Sequence, residues 1–200
     1  MKSGFADRVL QMVKENGVLR PRDLEPEGIP RIYLKRLVEK GLLRKISRGL
    51  YVASDAAPTV NHSLAQIAKK IPNGVVCLLS ALQFHGITTQ QHFEIWLALD
   101  MKARKPKILD FPVRIVRFTG ASLNEGIETH TIEGVPVKVY NIAKTVTDCF
   151  KYRNKVGLDV ALEALRECRQ ERRCSMDELW DYAKICRVAN VMRPYLEAIG

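Results

Sequence analysis

Between Ile29 and Val52 the apolar positions change from a helical to a two-residue period, which predicts a helix followed directly by a short hairpin. At 100° per residue Leu34, Leu37 and Val38 gather on one face, Ile32, Arg36 and Glu39 point the opposite way, and Tyr33 and Lys35 lie on the flanks. Pro30 suits a first helical turn, where a missing N–H costs nothing, and Gly41 suits a left-handed stop after Lys40. Beyond it Leu43, Lys45 and Ser47 alternate with Arg44, Ile46 and Arg48, and Gly49 permits a tight turn into Leu50, Tyr51 and Val52.

Upstream, Phe5, Val9, Met12 and Val13 form the stripe of a first helix that Ser3 can cap and Asn16-Gly17 can end. Val18-Leu19 fits a minimal strand and Pro21–Leu24 a short second helix. Helix, helix, turn, helix and hairpin in this order make a winged helix-turn-helix, in which a recognition helix enters the major groove and other basic groups hold phosphates. The expected organisation is a winged helix over residues 1–54, an aperiodic linker over 55–61, and a second domain over 62–200.

The second domain reads as α+β. Leu64, Ile67, Ala68 and Ile71 mark a helix before Pro72-Asn73-Gly74, and residues 80–86 a second helix with a glycine stop. Alternation over Phe93–Leu99, Val113–Phe118, Ile127–Ile132 and Val135–Tyr140 predicts a small, mostly antiparallel sheet, with a hairpin turn at Glu133-Gly134. Asn141 can cap a helix striped by Ile142, Val146, Cys149 and Phe150. A helix striped by Leu158, Leu162 and Leu165, a third opened by the Ser175–Glu178 capping box, and a last one near Pro194 complete a C-terminal helical bundle.

Charge changes this picture from a fold into a function. The net charge of +10 favours a polyanionic partner, and the first 54 residues hold twelve basic against six acidic side chains, more than half of the surplus. No long apolar run follows Met1 and none later approaches a membrane span, so the expectation is a cytoplasmic protein without membrane association. The five cysteines lack C-x-x-C spacing and read as reduced core thiols, and the four histidines lack zinc-site spacing. No metal and no cofactor are expected.

Catalytic patterns are weak. Asp100-Met101-Lys102 offers a D-x-K pair, but no Asp or Glu lies between Asp55 and Glu94 to complete a two-carboxylate metal site, and Asp100 reads better as a strand-end turn residue. There is no nucleophile elbow, P-loop or dinucleotide fingerprint. The expected protein is not an enzyme. A second basic surface for phosphate or an acidic partner is suggested by Lys144 and Lys151 on one helix, with Arg153 and Lys155 beyond it, although a solvated face with Lys144 and Asp148 paired at i, i+4 explains the pattern as well.

Three blocks taken together, Ser47-Arg48-Gly49-Leu50-Tyr51, Leu79–Thr88 (LSALQFHGIT) and Lys144–Phe150 (KTVTDCF) followed by Gly157-Leu158-Asp159, resemble the AbiEi family of antitoxins over nearly the full chain. The resemblance implies the antitoxin of a type IV toxin–antitoxin pair linked to phage defence. It implies repression of the chain's own operon through inverted repeats in double-stranded DNA, and counteraction of a nucleotidyltransferase toxin. The family's DNA-facing positions map onto Arg31, Lys35 and Arg36 of the helix and Arg44, Lys45 and Arg48 of the wing, beside the outward Ile32 and Tyr33. Two other readings share these residues: a plain winged-helix regulator with a ligand-sensing or dimerising second domain, and a DNA-processing enzyme.

Overall fold

The computed structural model describes residues 4–16, 18–47, 49–54, 61–89, 94–104, 106 and 112–199. Contacts divide the chain into a first unit of residues 1–72 with 130–137, and a second of 73–129 with 138–200. This division does not coincide with the expected 1–54 and 62–200, because a helix after residue 61 and a piece of a distant hairpin group with the first unit. Of the expected linker, residues 55–60 lie outside the described residues.

The first unit holds α1 (Phe5–Asn16), a 3-10 turn (Pro21–Leu24), α2 (Ile32–Glu39), the hairpin strands β1 (Leu43–Ser47) and β2 (Leu50–Ala53), and α3 (His62–Lys70). Val9, Met12 and Val13 of α1 pack with Leu34 and Leu37 of α2 and with Leu19, Leu24, Ile29 and Leu43 between the elements. Each such leucine or valine contributes about 1.5–3 kcal/mol by burial. α2 starts one residue past Arg31, so Pro30 precedes the helix instead of opening its first turn. It stops as expected: Gly41 has φ +69°, its N–H donates to the Val38 carbonyl at 2.9 Å, and the Leu42 N–H to the Leu37 carbonyl at 2.9 Å. These paired bonds satisfy carbonyls that a helix end leaves unpaired. Leu19 and Tyr51 exchange backbone hydrogen bonds of 2.8 and 3.0 Å, so the minimal strand read at Val18-Leu19 is a single bridge on the edge of the wing.

The second unit contains β3 (Val75–Val76), α4 (Leu78–His85), β4 (Ile95–Asp100), β5 (Val113–Phe118) and α5 (Ala121–Asn124). β6 (Ile127–Ile132) and β7 (Val135–Tyr140) follow, their facing ends (130–137) belonging to the first unit, and then α6 (Ile142–Lys151), α7 (Arg153–Val156), α8 (Leu158–Gln170), α9 (Met176–Ile185) and α10 (Ala189–Ile199). The mixed α+β class agrees with the sequence, but the five-stranded sheet, ordered β5-β4-β3-β7-β6, is not mostly antiparallel. β3 runs antiparallel to β4, whereas β4 and β5 pair in parallel from Ile95–Val113 to Asp100–Phe118, and β3 pairs in parallel with β7. The segment 101–112 that joins β4 to β5 has the length a parallel crossover needs, and a period-two pattern carries no strand direction.

β6 and β7 meet at Glu133-Gly134, with φ of +51° and +72°, the paired left-handed geometry of a tight hairpin turn. A Cβ on Gly134 would lie 2.6 Å from the Asn16 carbonyl carbon, so only glycine fits against the end of α1. Glu133 in turn meets His62 Nδ1 at 2.7 Å.

α6 is the centre of the second unit. It packs against α4, α8, α9 and α10, and all its residues from Ala143 to Phe150 are buried. Asn141 caps it by accepting from the Lys144 N–H at 2.9 Å, and Ser175 and Glu178 form the expected capping box of α9. The cysteines depart from expectation: Cys168 and Cys174 are joined as a disulfide, while Cys77, Cys149 and Cys186 are buried thiols. The pairing arises where α8 ends and the chain turns toward α9, bringing the two Cα atoms within 5.9 Å. Burial pushes the Cys186 thiol up to about 12, reinforced by the neighbouring Asp148 charge, which keeps it protonated and unreactive.

Candidate nucleic-acid interface

The buried stripe of α2 settles which residues face outward. With Leu34 and Leu37 in the core, Arg31, Ile32, Lys35 and Arg36 are exposed and Tyr33 is half-buried. Ile32 is 47% exposed between charged neighbours, an apolar group in the position to meet a thymine methyl. Tyr33 is fixed on both sides, by the Phe5 ring at 5.4 Å edge-to-face and by the Arg36 guanidinium 5.3 Å from its centroid. The arginine is thereby held over an aromatic surface instead of waving in solvent.

In the wing, Arg44 and Lys45 are exposed beside buried Leu43. A register shift between Lys45 and Ser47 sets Lys45 opposite Tyr51 and Ser47 opposite Leu50. Arg48, assigned to the wing from sequence, lies outside the described residues. Two of the helix cations carry intramolecular partners: Arg31 pairs with Glu25, and Lys35 approaches Glu39 at 3.8 Å. All four side chains are well exposed, so each pair contributes at most about 1 kcal/mol and yields readily to a phosphate.

A second cationic arrangement beside the winged helix escaped the sequence reading. Asp23, in the 3-10 turn, accepts from the Arg20 backbone N–H at 2.8 Å and from Arg20 Nε at 3.2 Å, and meets Lys69 Nζ at 3.2 Å. Arg20 also donates to the Lys69 carbonyl. Burial alone would raise the Asp23 carboxyl, but the Arg20 hydrogen bonds and the Lys69 charge outweigh it and hold the group below its ordinary value. The signal in the sequence was only Arg20-Pro21-Arg22 and Lys69-Lys70, two short basic runs whose approach is tertiary.

The expected second basic surface does not assemble. Lys144 has no exposed area, and its ammonium pairs with equally buried Asp148, 4.2 Å from the Tyr140 ring centroid and 4.9 Å from that of Phe118. Asp148 also accepts from Cys186 Sγ at 3.4 Å. Burial pushes the Asp148 carboxyl up while the Lys144 charge pulls it back. Both sequence readings put this helix face in solvent; the structure puts it in the core, because α4, α8 and α9 enclose α6. Lys151 reaches Ser122 Oγ at 3.5 Å, Arg153 donates to the Phe150 carbonyl at 3.0 Å, and Lys155 lies 5.5 Å from the Tyr152 ring. Of the four, Lys155 is the exposed one. Asp100 Oδ1 accepts the Lys102 N–H at 2.8 Å, the local turn its sequence position suggested.

The span from α1 to β2 is also where the comparison with protein families finds its match. Residues 7–54 match the family "Transcriptional regulator, AbiEi antitoxin". The AbiEi-like segment thus contains both the outward face of α2 and the wing, and the matched family is one of regulatory antitoxins. No curated protein matches the chain. Among solved structures, the chain is similar to the RV2827C protein from Mycobacterium tuberculosis, with a TM-score of 0.60 at 15% identity over 90% of this chain and 71% of that one. That likeness shows a shared fold. Among the described residues no helix is long and apolar enough to cross a membrane.

Proposed function

We propose that the protein is a sequence-specific DNA-binding regulator and the antitoxin of a toxin–antitoxin pair, repressing its own operon and counteracting a nucleotidyltransferase toxin in the cytoplasm, with no catalytic activity of its own. One observation carries the reading: within the AbiEi-like segment, α2 buries its leucines and presents Ile32, Lys35 and Arg36 outward, beside Arg44 and Lys45 of the wing. Bidentate arginine, an ammonium and an apolar contact are the groups that read base edges in a major groove, while wing cations bind phosphates. Arg48 belongs to the proposed wing contacts through its place in the family pattern. Arg31, at the entrance of α2, can exchange Glu25 for a phosphate. Two copies on an inverted repeat would place their helices one helical turn apart or a multiple of it.

The test has two arms on the full chain. A duplex from the region upstream of its own gene should bind more tightly than a scrambled duplex, with footprints on paired half-sites; equal affinity for both duplexes would defeat the operator reading. Co-expression with the neighbouring gene should relieve that gene's toxicity. Operator binding without relief would leave a plain regulator.

A further inference from the structure

We propose that a groove beside the winged helix is a second seat for the DNA backbone, taking phosphates that flank the site read by α2; this rests on the DNA-binding reading above. The groove, about 360 Å³ in volume, is lined by Arg20, Arg22, Arg31, Lys69 and Lys70 together with the wing-turn residue Gly49. Five cations from three stretches of chain face one concavity with no carboxylate in its lining. Asp23 and Glu25, which pair with three of these cations from outside the lining, offset only part of the charge, and an anionic occupant would meet the surplus.

The arrangement is built rather than accidental. Asp23, outside the lining, fixes two of the five: Arg20 by backbone and side-chain hydrogen bonds, Lys69 by a 3.2 Å ion pair. The Arg20 guanidinium also grips the Lys69 carbonyl, which ties the end of α3 to the 3-10 turn. One carboxylate thus orients two cations across 46 residues of sequence.

Position and chemistry select the occupant. Arg31 sits at the entrance of α2 and Gly49 at the turn of the wing, so the groove opens off the surface that would meet the duplex. The lining has no aromatic ring on which a base would stack, which disfavours a nucleotide held by its base or a single strand threaded through it. Guanidinium and ammonium groups in a groove without base-reading partners recognise phosphodiesters, and they contribute affinity without sequence preference.

The experiment compares the wild-type chain with Arg22→Ala/Lys70→Ala on the upstream duplex and on a scrambled duplex of equal length, by fluorescence anisotropy across a salt series. Loss of two phosphate contacts should flatten the slope of log K against log salt by roughly 1.8 and weaken both duplexes by the same factor, so the specificity ratio holds. The charge-keeping Arg22→Lys/Lys70→Arg variant should restore the slope, which separates lost contacts from misfolding. An unchanged slope in the alanine variant, with wild-type binding intact, overturns the groove alone; wild type that binds neither duplex overturns the DNA reading and the groove with it. Inorganic phosphate added at constant ionic strength should weaken wild-type binding to the duplex, because it competes for the same cations, and should spare the alanine variant. If phosphate binds the wild type yet leaves its affinity for the duplex unchanged, the groove is a free-phosphate site apart from the DNA and the proposal fails.

Discussion

Lys35 and Lys144 share one sequence pattern and end in opposite surroundings. Each precedes an acid by four residues on an amphipathic helix, Glu39 in one case and Asp148 in the other. On α2 the pair is loose and open to solvent at 3.8 Å, with side chains 74% and 61% exposed; on α6 both side chains are fully buried. The first is a surface ornament of small energetic value. The second is a desolvated ion pair whose members depend on each other. Charge spacing therefore says which side chains can meet and nothing about where; what surrounds the helix decides that.

The largest effect that sharpens this contrast comes from breaking the buried pair. Lys144→Ala leaves Asp148 in the core without its ammonium and should cost about 3–5 kcal/mol. Both tryptophans, Trp96 and Trp180, lie in the second unit, so urea unfolding followed by tryptophan fluorescence reads that unit directly. Replacing both partners, Lys144→Met with Asp148→Leu, should recover most of the loss. If the single and double variants were equally unstable, the ion pair would not be the cause. Lys35→Ala, followed by far-UV circular dichroism because the first unit holds no tryptophan, should shift stability by no more than about 0.5 kcal/mol.

A second break concerns backbone rather than charge. Gly134→Ala combines a φ of +72° with a Cβ only 2.6 Å from the Asn16 carbonyl carbon and 2.7 Å from the Glu15 carbonyl oxygen. It should cost about 1–3 kcal/mol and speed amide exchange at the end of α1. Unaltered exchange there would show that the hairpin tip does not support the helix.

On the face of α2 proposed to read DNA the expected effect has similar size but a different target. Arg36→Ala should weaken operator binding by about 1–3 kcal/mol and relax preference at one base position, with folding stability nearly unchanged. A uniform loss on every duplex would move Arg36 from base reading to phosphate contact. A smaller effect follows from Asp23. Its folded-state value lies below the ordinary 3.8, so the stability it adds is fully present above that value and is lost as pH falls through the lower folded one. Asp23→Asn should therefore be less stable than wild type by about 1 kcal/mol at neutral pH, with the difference closing only in strong acid. A difference that grew on acidification would reverse the assignment.

Features set by neighbours in sequence were legible before the fold. The Gly41 stop, the Asn141 cap, the Ser175–Glu178 box and the Glu133-Gly134 turn each depend on a few adjacent residues, and the leucine stripe of α2 fixes its outward face without further information. The parallel pairing of β4 with β5 was hidden because alternation is identical in either direction. The burial of Lys144 was hidden because its helix is enclosed by elements lying before and after it in sequence. The cluster of Arg20, Asp23 and Lys69 was hidden for the same reason, its members being brought together only when α3 meets the 3-10 turn.

The hairpin tip gives the first unit an unusual source of support. Residues 130–137 belong to the first unit although nearly sixty residues of the second come before them, and Glu133 and Gly134 meet His62 and Asn16 there. A winged helix that borrows part of its own support from so far along the chain is not a detachable cassette. Recombination that swaps the first seventy residues between relatives must also bring a hairpin whose glycine and glutamate match the new helix end. Inheritance of the first unit is thereby coupled to inheritance of the hairpin, and changes at the end of α1 and at the hairpin tip should occur together rather than independently.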